Sequence, residues 1–123
     1  MGLTSLSATI INPANTRLRQ QVDFLVDSGA VYSVVDKKIL KKIGIKPHGT
    51  KRFFLANGQV VERQIGGSVY EYADEKGYAP VIFGEKNDSN LLGTVTLEAL
   101  GLVLDPLQRK LLKLPLVLGA LTR

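Results

Sequence analysis

The sequence predicts an all-β fold, a small closed barrel with one or two short helices. Three observations carry that prediction. Short apolar or alternating runs recur along the chain with turn-forming residues between them. Asn57-Gly58 stands between two apolar runs, the strongest short-range signal of a hairpin. Helical patterning is confined to two brief stretches, so many short strands must bury one face and hide their edges.

Taken in order, Leu6 to Ile11 and Val22 to Val26 are strands separated by Asn12 to Arg17 (NPANTR), a run of turn formers. Val31 to Val35 is β-branched and aromatic, a third strand. Asp36 then caps a short helix, Lys37 to Ile43, which Gly44 closes. Phe53 to Ala56 and Gln59 to Glu62 are expected to pair across Asn57-Gly58 in a type I′ turn, with positive φ at both central residues. Gly66-Gly67 marks a bend. Ser68 to Ala73 and Tyr78 to Phe83 form a further hairpin, and Pro80 places the second strand at an edge or at its own start. Leu91-Leu92-Gly93 leads to one or two helical turns over Val95 to Leu100, stopped by Gly101. Strand, Asp-Pro turn and strand complete the pattern over LVLDPLQRKLLKL.

The 123 residues suffice for a single domain, expected to span 1–123, with one core. There is no cysteine, which removes disulfides and thiolate metal sites, and one histidine, His48, which rules out a multi-histidine site within one chain. No metal and no cofactor are expected. No apolar run approaches the roughly 20 residues of a membrane span. The opening MGLTSLSATI lacks the basic start and long apolar segment of an export signal, so a cytoplasmic protein away from membranes is expected. Asn87-Asp88-Ser89 fits the glycosylation pattern but reads as an unmodified turn. The net charge is +5, and the excess lies between Asp36 and Arg52. Val35, Ile39 and Ile43 recur there every four residues with lysines between them, the pattern of a solvated helix face. A nucleic-acid surface is the competing reading of that stretch, and no nucleic-acid partner is expected.

The stretch FLVDSGAVYSVV (Phe24 to Val35) carries the chemistry. Asp27 ends an apolar run, where a carboxylate is costly unless hydrogen-bonded or useful. Ser28, Gly29 and Ala30 are all small and permit close approach. A turn aspartate bonded to nearby amides is the plain alternative. A carboxylate hydrolyses an amide without further help when a second carboxylate shares its proton, because two such groups about 3 Å apart cannot both ionise. Asp-Ser-Gly occurs once in the chain, so the second aspartate must come from a second copy, and a two-fold axis sets identical residues face to face.

Val26-Asp27-Ser28-Gly29-Ala30, the following apolar strand, the Asn57-Gly58 hairpin and Leu91-Leu92-Gly93 before a short helix resemble the retropepsin-like aspartic peptidases, nearly from end to end. The resemblance implies a homodimeric endopeptidase acting on extended peptides. It implies that Asp27 is the catalytic aspartate, that Ser28 bonds across the dimer to the partner's loop, and that Gly29 leaves room for substrate and water, with Ala30 beside it. Ala56, Asn57, Gly58, Gln59 and Val60 match the flap tip that closes over substrate. Leu91 to Gly93 match the segment packed beneath the active-site loop, and Leu111 to Leu118 match a strand interleaved with the partner. Apolar subsites are expected near Ala30, the flap and Leu92. Three departures stand out: Val95, where relatives often carry an acid or Asn, Ser28, where Thr is commoner and Ser an accepted variant, and Pro115 in the last strand. A peptide-binding module without activity is the alternative on the same fold, and the intact Asp27-Ser28-Gly29 speaks against it.

Overall fold

The computed structural model describes residues 4–105, 107–108 and 110–113. The chain opens with β1 (Thr4–Asn12) and β2 (Asn15–Val26), paired antiparallel from Thr4↔Val26 to Ile11↔Arg19. Their connection is tighter than the turn-forming run suggests, because Asn12 supplies the missing partners itself. Its Oδ1 accepts the Ala14 N–H at 2.8 Å and its Nδ2 donates to the Ile43 carbonyl at 2.9 Å. β3 (Ser33–Asp36) runs into α1 (Lys37–Lys42), where the Asp36 side chain accepts the Lys38 N–H and caps the helix as expected. Leu40 is the fully buried residue of α1, while Lys38, Lys41 and Lys42 stay outside or at its margin.

β4 (Gly49–Phe54) and β5 (Val60–Tyr72) form an antiparallel ribbon, and β5 continues into a pairing with β6 (Glu75–Gly84). The turns of these two hairpins reverse the expectation. At Leu55–Gln59 only Gly58 has positive φ (+86°), and the Gly58 N–H bonds to the Leu55 carbonyl at 2.9 Å. This is a three-residue loop of the type I plus bulge kind, not the two-residue type I′ turn. Asn57 instead uses its side chain, accepting the Gln59 N–H at 2.9 Å. The positive pair occurs at Ala73 and Asp74 (φ 47° and 71°), between the partners Tyr72 and Glu75. There the twist of two long strands imposes the geometry on residues that do not advertise it. Pro80 lies inside β6, opposite Gly67, just before the β6 pairing with β3 begins at Val81. The missing N–H thus falls where the strand's other side is still open.

β7 (Leu91–Leu92) is inserted between β2, which it meets in parallel, and β3, which it meets antiparallel. α2 (Thr94–Ala99) follows, ended by Gly101 at φ +71°. The sheet order is β1-β2-β7-β3-β6-β5-β4, and β1 also pairs with β5 through Thr9 to Ile11, so the hydrogen-bonded order returns on itself and leaves β4 outside. A separate hairpin joins β8 (Leu102–Asp105) to β9 (Lys110–Lys113). The expected strand from Leu111 to Leu118 lies outside the described residues from position 114 onward, as does Pro115. Inside the strands the core gathers Ile10, Phe24, Leu40, Tyr70, Phe83 and Leu92. Phe24 and Tyr70 are tilted against each other at 6.5 Å. Each such side chain contributes on the order of 1.5–3 kcal/mol by leaving water. Among the described residues no helix is long and apolar enough to cross a membrane.

Candidate active site

β2 is anchored in the core up to Val26, which is 1% exposed, and releases the chain immediately after it. Asp27 is therefore half-buried and Ser28 and Gly29 are exposed. The expectation of an interior carboxylate is corrected: the strand carries Asp27 to the rim, not under the surface. There its Oδ1 accepts the Gly29 N–H at 2.9 Å, and the Ala30 N–H bonds to the Asp27 carbonyl at 3.0 Å. These two bonds fold residues 27–30 into a tight turn and hold one carboxylate oxygen by a backbone donor. Among the described residues the Ser28 hydroxyl has no hydrogen-bond partner.

Both ends of the loop are fastened to the same short segment. The Asp27 N–H reaches the Leu92 carbonyl at 3.3 Å, while the Thr94 and Val95 N–H groups donate to the Ala30 and Val31 carbonyls at 2.9 and 3.0 Å. Gly93 makes this approach possible. A Cβ there would lie 2.6 Å from both the Tyr32 carbonyl carbon and the Val31 oxygen.

Beneath the loop sits a set of buried hydroxyls that sequence reasoning missed. Ser33 and Thr96 are fully buried, their oxygens 2.5 Å apart, and the Gly93 N–H donates to Ser33 Oγ at 2.9 Å. Tyr70 completes the group. Burial pushes its hydroxyl ionisation up, the Ser33 and Thr96 hydroxyls pull weakly the other way, and its O–H donates to the Pro80 carbonyl at 3.1 Å. No buried side-chain polar atom among the described residues lacks a partner. The available signal was a serine within VYSVV and a threonine within VTL, hydroxyls in otherwise apolar runs. The departure at Val95 is resolved by the same geometry: Val95 packs against the core and Thr96 makes the polar contact.

A cleft of about 660 Å³ opens beside the loop. Gly29 and Ala30 form one part of it, Leu91 and residues 87–89 another, and Phe54 and Leu55 of the ribbon a third. Leu91, not Leu92, faces the cleft, because the alternation of β7 turns Leu92 fully into the core. Of the ribbon residues singled out by sequence, Ala56, Asn57, Gly58, Gln59 and Val60 sit at the exposed tip, and none of them lines the cleft. Their neighbours Phe54, Leu55 and Val61 do. Phe54 is 81% exposed, an unusual cost for an aromatic ring with nothing over it. His48 is exposed, and only its backbone takes part, donating to Ile65. Lys37 is engaged with Glu85 at 2.6 Å, which removes one charge from the lysine-rich face.

Residues 9–68 match the Aspartyl protease family, a stretch that contains Asp27-Ser28-Gly29 and ends within β5. No curated protein matches the sequence. Among solved structures, the chain is similar to the solution structure of the simian foamy virus (mac) protease, with a TM-score of 0.53 and 20% identity. That similarity covers 77% of this chain and 92% of the viral one. The viral likeness carries the retropepsin-like fold, and the match to the Aspartyl protease family, over just under half of the chain, carries the loop that holds Asp27-Ser28-Gly29.

Proposed function

We propose that the chain is an endopeptidase that works as a homodimer, with Asp27 of each protomer meeting at the two-fold axis. The observation that carries this reading is the placement of Asp27: a carboxylate on the loop whose Gly29 and Ala30 border an apolar cleft, in a turn whose two ends are bonded to one buried segment. Such a loop holds the carboxylate in a fixed position, which is what a shared proton requires. The exposed Ser28 hydroxyl beside it is free to bond to the opposite loop.

The two carboxyl groups then divide the work. The ionised one takes a proton from water as the water oxygen attacks the peptide carbonyl carbon, and the protonated one gives its proton to the carbonyl oxygen. Collapse of the tetrahedral intermediate breaks the C–N bond, and the amine leaves with a proton from the carboxyl pair. The pair titrates as a unit. The ribbon tip, Ala56 to Val60, acts as the flap and pairs its backbone with an extended peptide. The cleft beside Ala30 and Leu91 accepts apolar side chains.

Sedimentation of the protein followed by digestion of casein or a peptide library tests this reading. A dimer that cleaves, and an Asp27→Asn dimer that does not, is the expected pair of results. Wild-type rates from the Asp27→Asn protein would sink it.

A further inference from the structure

At the point where the ribbon joins the body, β4 and β5 place two cations directly opposite each other: Lys51 pairs with Arg63. Like charges in that position repel across the strands and weaken a ribbon that already has little buried surface. Each cation, however, is engaged by a different part of the cleft. Arg63 forms a two-pronged ion pair with Asp88, Nε to Oδ2 at 2.8 Å and Nη2 to Oδ1 at 3.1 Å. Both side chains are mostly withdrawn from water, at 20% and 28% exposure. The remaining Arg63 nitrogen donates to the Glu62 carbonyl at 2.9 Å, so the guanidinium has every nitrogen engaged.

Asp88 is itself held firmly. Its Oδ2 accepts the Glu85 N–H at 2.7 Å and its N–H returns to the Glu85 carbonyl at 3.0 Å. Lys37 of α1 grips the same turn through Glu85. On the other strand, the Lys51 ammonium lies 5.5 Å from the centre of the Tyr32 ring, and Phe53 meets that ring edge-on at 6.3 Å. Tyr32 follows directly from the Asp27 loop. Beyond this level, residues 54–60 are all exposed.

We propose that the Lys51–Arg63 pair is the fulcrum of the ribbon: Arg63 bolts β5 to the Asp88 turn, Lys51 rests β4 on Tyr32, and the ribbon bends only beyond them. This makes Arg63 and Lys51 positioning residues, which set how far the tip stands from the cleft and therefore how readily a peptide is enclosed. The inference rests on the reading of the ribbon as a flap over a peptidase site. Its structural half, that the pair limits bending, is testable without any activity.

Amide hydrogen exchange and hydrolysis kinetics are to be measured side by side on wild type, Arg63→Gln, Asp88→Asn and Arg63→Lys. In Arg63→Gln and Asp88→Asn, exchange over residues 53–61 is expected to rise about tenfold, as befits loss of a charge-assisted pair. Exchange in β1 and β6 should stay unchanged. KM should rise roughly five- to tenfold with kcat within about twofold, because the carboxylate loop is untouched. Arg63→Lys keeps one prong and should recover part of both effects. Unchanged exchange over 53–61 overturns the proposal, and so does a uniform rise across the whole chain, which would make the pair a general brace. If exchange rises locally and even wild type hydrolyses nothing, the fulcrum stands and the peptidase reading fails.

Discussion

The loop at residues 27–31 and the ribbon at residues 49–62 border the same cleft and are built in opposite ways. The loop is short, bonded by its backbone at both ends to residues 92–95, and underpinned by the buried hydroxyls of Ser33 and Thr96. The ribbon is a lone pair of strands with a solvent-facing tip, attached through Arg63–Asp88 and the contacts of Tyr32. Under the proposed function, the difference follows from what each would have to do. A carboxylate that shares a proton has to be placed within tenths of an ångström, so its loop is over-determined. A cover that admits a polypeptide has to yield, so it is drawn from the low-stability end of the fold.

The comparison breaks hardest at Asp27. Asp27→Asn should lower hydrolysis on the order of 10³-fold, since proton transfer through the pair is lost. The melting temperature should hardly move, because an asparagine Oδ1 can still accept the Gly29 N–H. Next comes the support of the loop. Gly93→Ala forces a Cβ to within 2.6 Å of backbone atoms on both Val31 and Tyr32, and should cost about 3 kcal/mol in denaturant unfolding, with activity lost through the displaced loop. Thr96→Val keeps the volume but strips the Ser33 hydroxyl of one of its partners, leaving the Gly93 N–H. Roughly 1–2 kcal/mol should disappear in the same assay.

The ribbon responds differently. Gly58→Ala strains a residue at φ +86° by about 1 kcal/mol, and because the tip is exposed the loss should register in turnover far more than in global stability. The smallest effect is the pH dependence of the ribbon's anchor. The Arg63 hydrogen bonds, ahead of any other cause, hold the Asp88 carboxyl below its ordinary range. Its stabilisation is therefore complete above the unfolded value of about 3.9 and fades only as pH falls through the lower folded value. The stability gap between wild type and Arg63→Gln, no more than about 1 kcal/mol, should persist at pH 5 and close only as the pH falls below the ordinary carboxylate range. A gap that closes between pH 5 and 7 would assign the effect to another group.

Much of this architecture is legible in the residues alone, for identifiable reasons. Asp36 as cap, Gly44 and Gly101 as helix stops, and the strands flanking Asn57-Gly58 are local features, set by chemistry within a few positions. The turn geometries were not legible. Asn57 can adopt positive φ but a side-chain bond to Gln59 serves instead, while Ala73 and Asp74 take up positive φ because the β5 and β6 registers demand it. The exposure of Asp27 was misjudged for a related reason: an apolar run shows that a strand is buried without showing at which residue it emerges. Ser33 and Thr96 are each a hydroxyl in an apolar run, a hint of a buried polar contact, but their contact joins residues 63 positions apart and neither run says which partner it has. Arg63 and Asp88 escaped notice likewise, an ordinary strand cation and an ordinary turn acid until the fold sets them 2.8 Å apart.

The measurement that bears most directly on the central claim is activity in mixtures of wild-type and Asp27→Asn protein, unfolded and refolded together so that protomers assort at random. If each site needs one Asp27 from each protomer, only pairs of two wild-type chains cleave, and an equal mixture retains about a quarter of the wild-type rate at the same total concentration. A rate of about a half, each Asp27 acting alone, or of about three quarters, one Asp27 sufficing per dimer, would mean that no carboxyl pair drives the reaction.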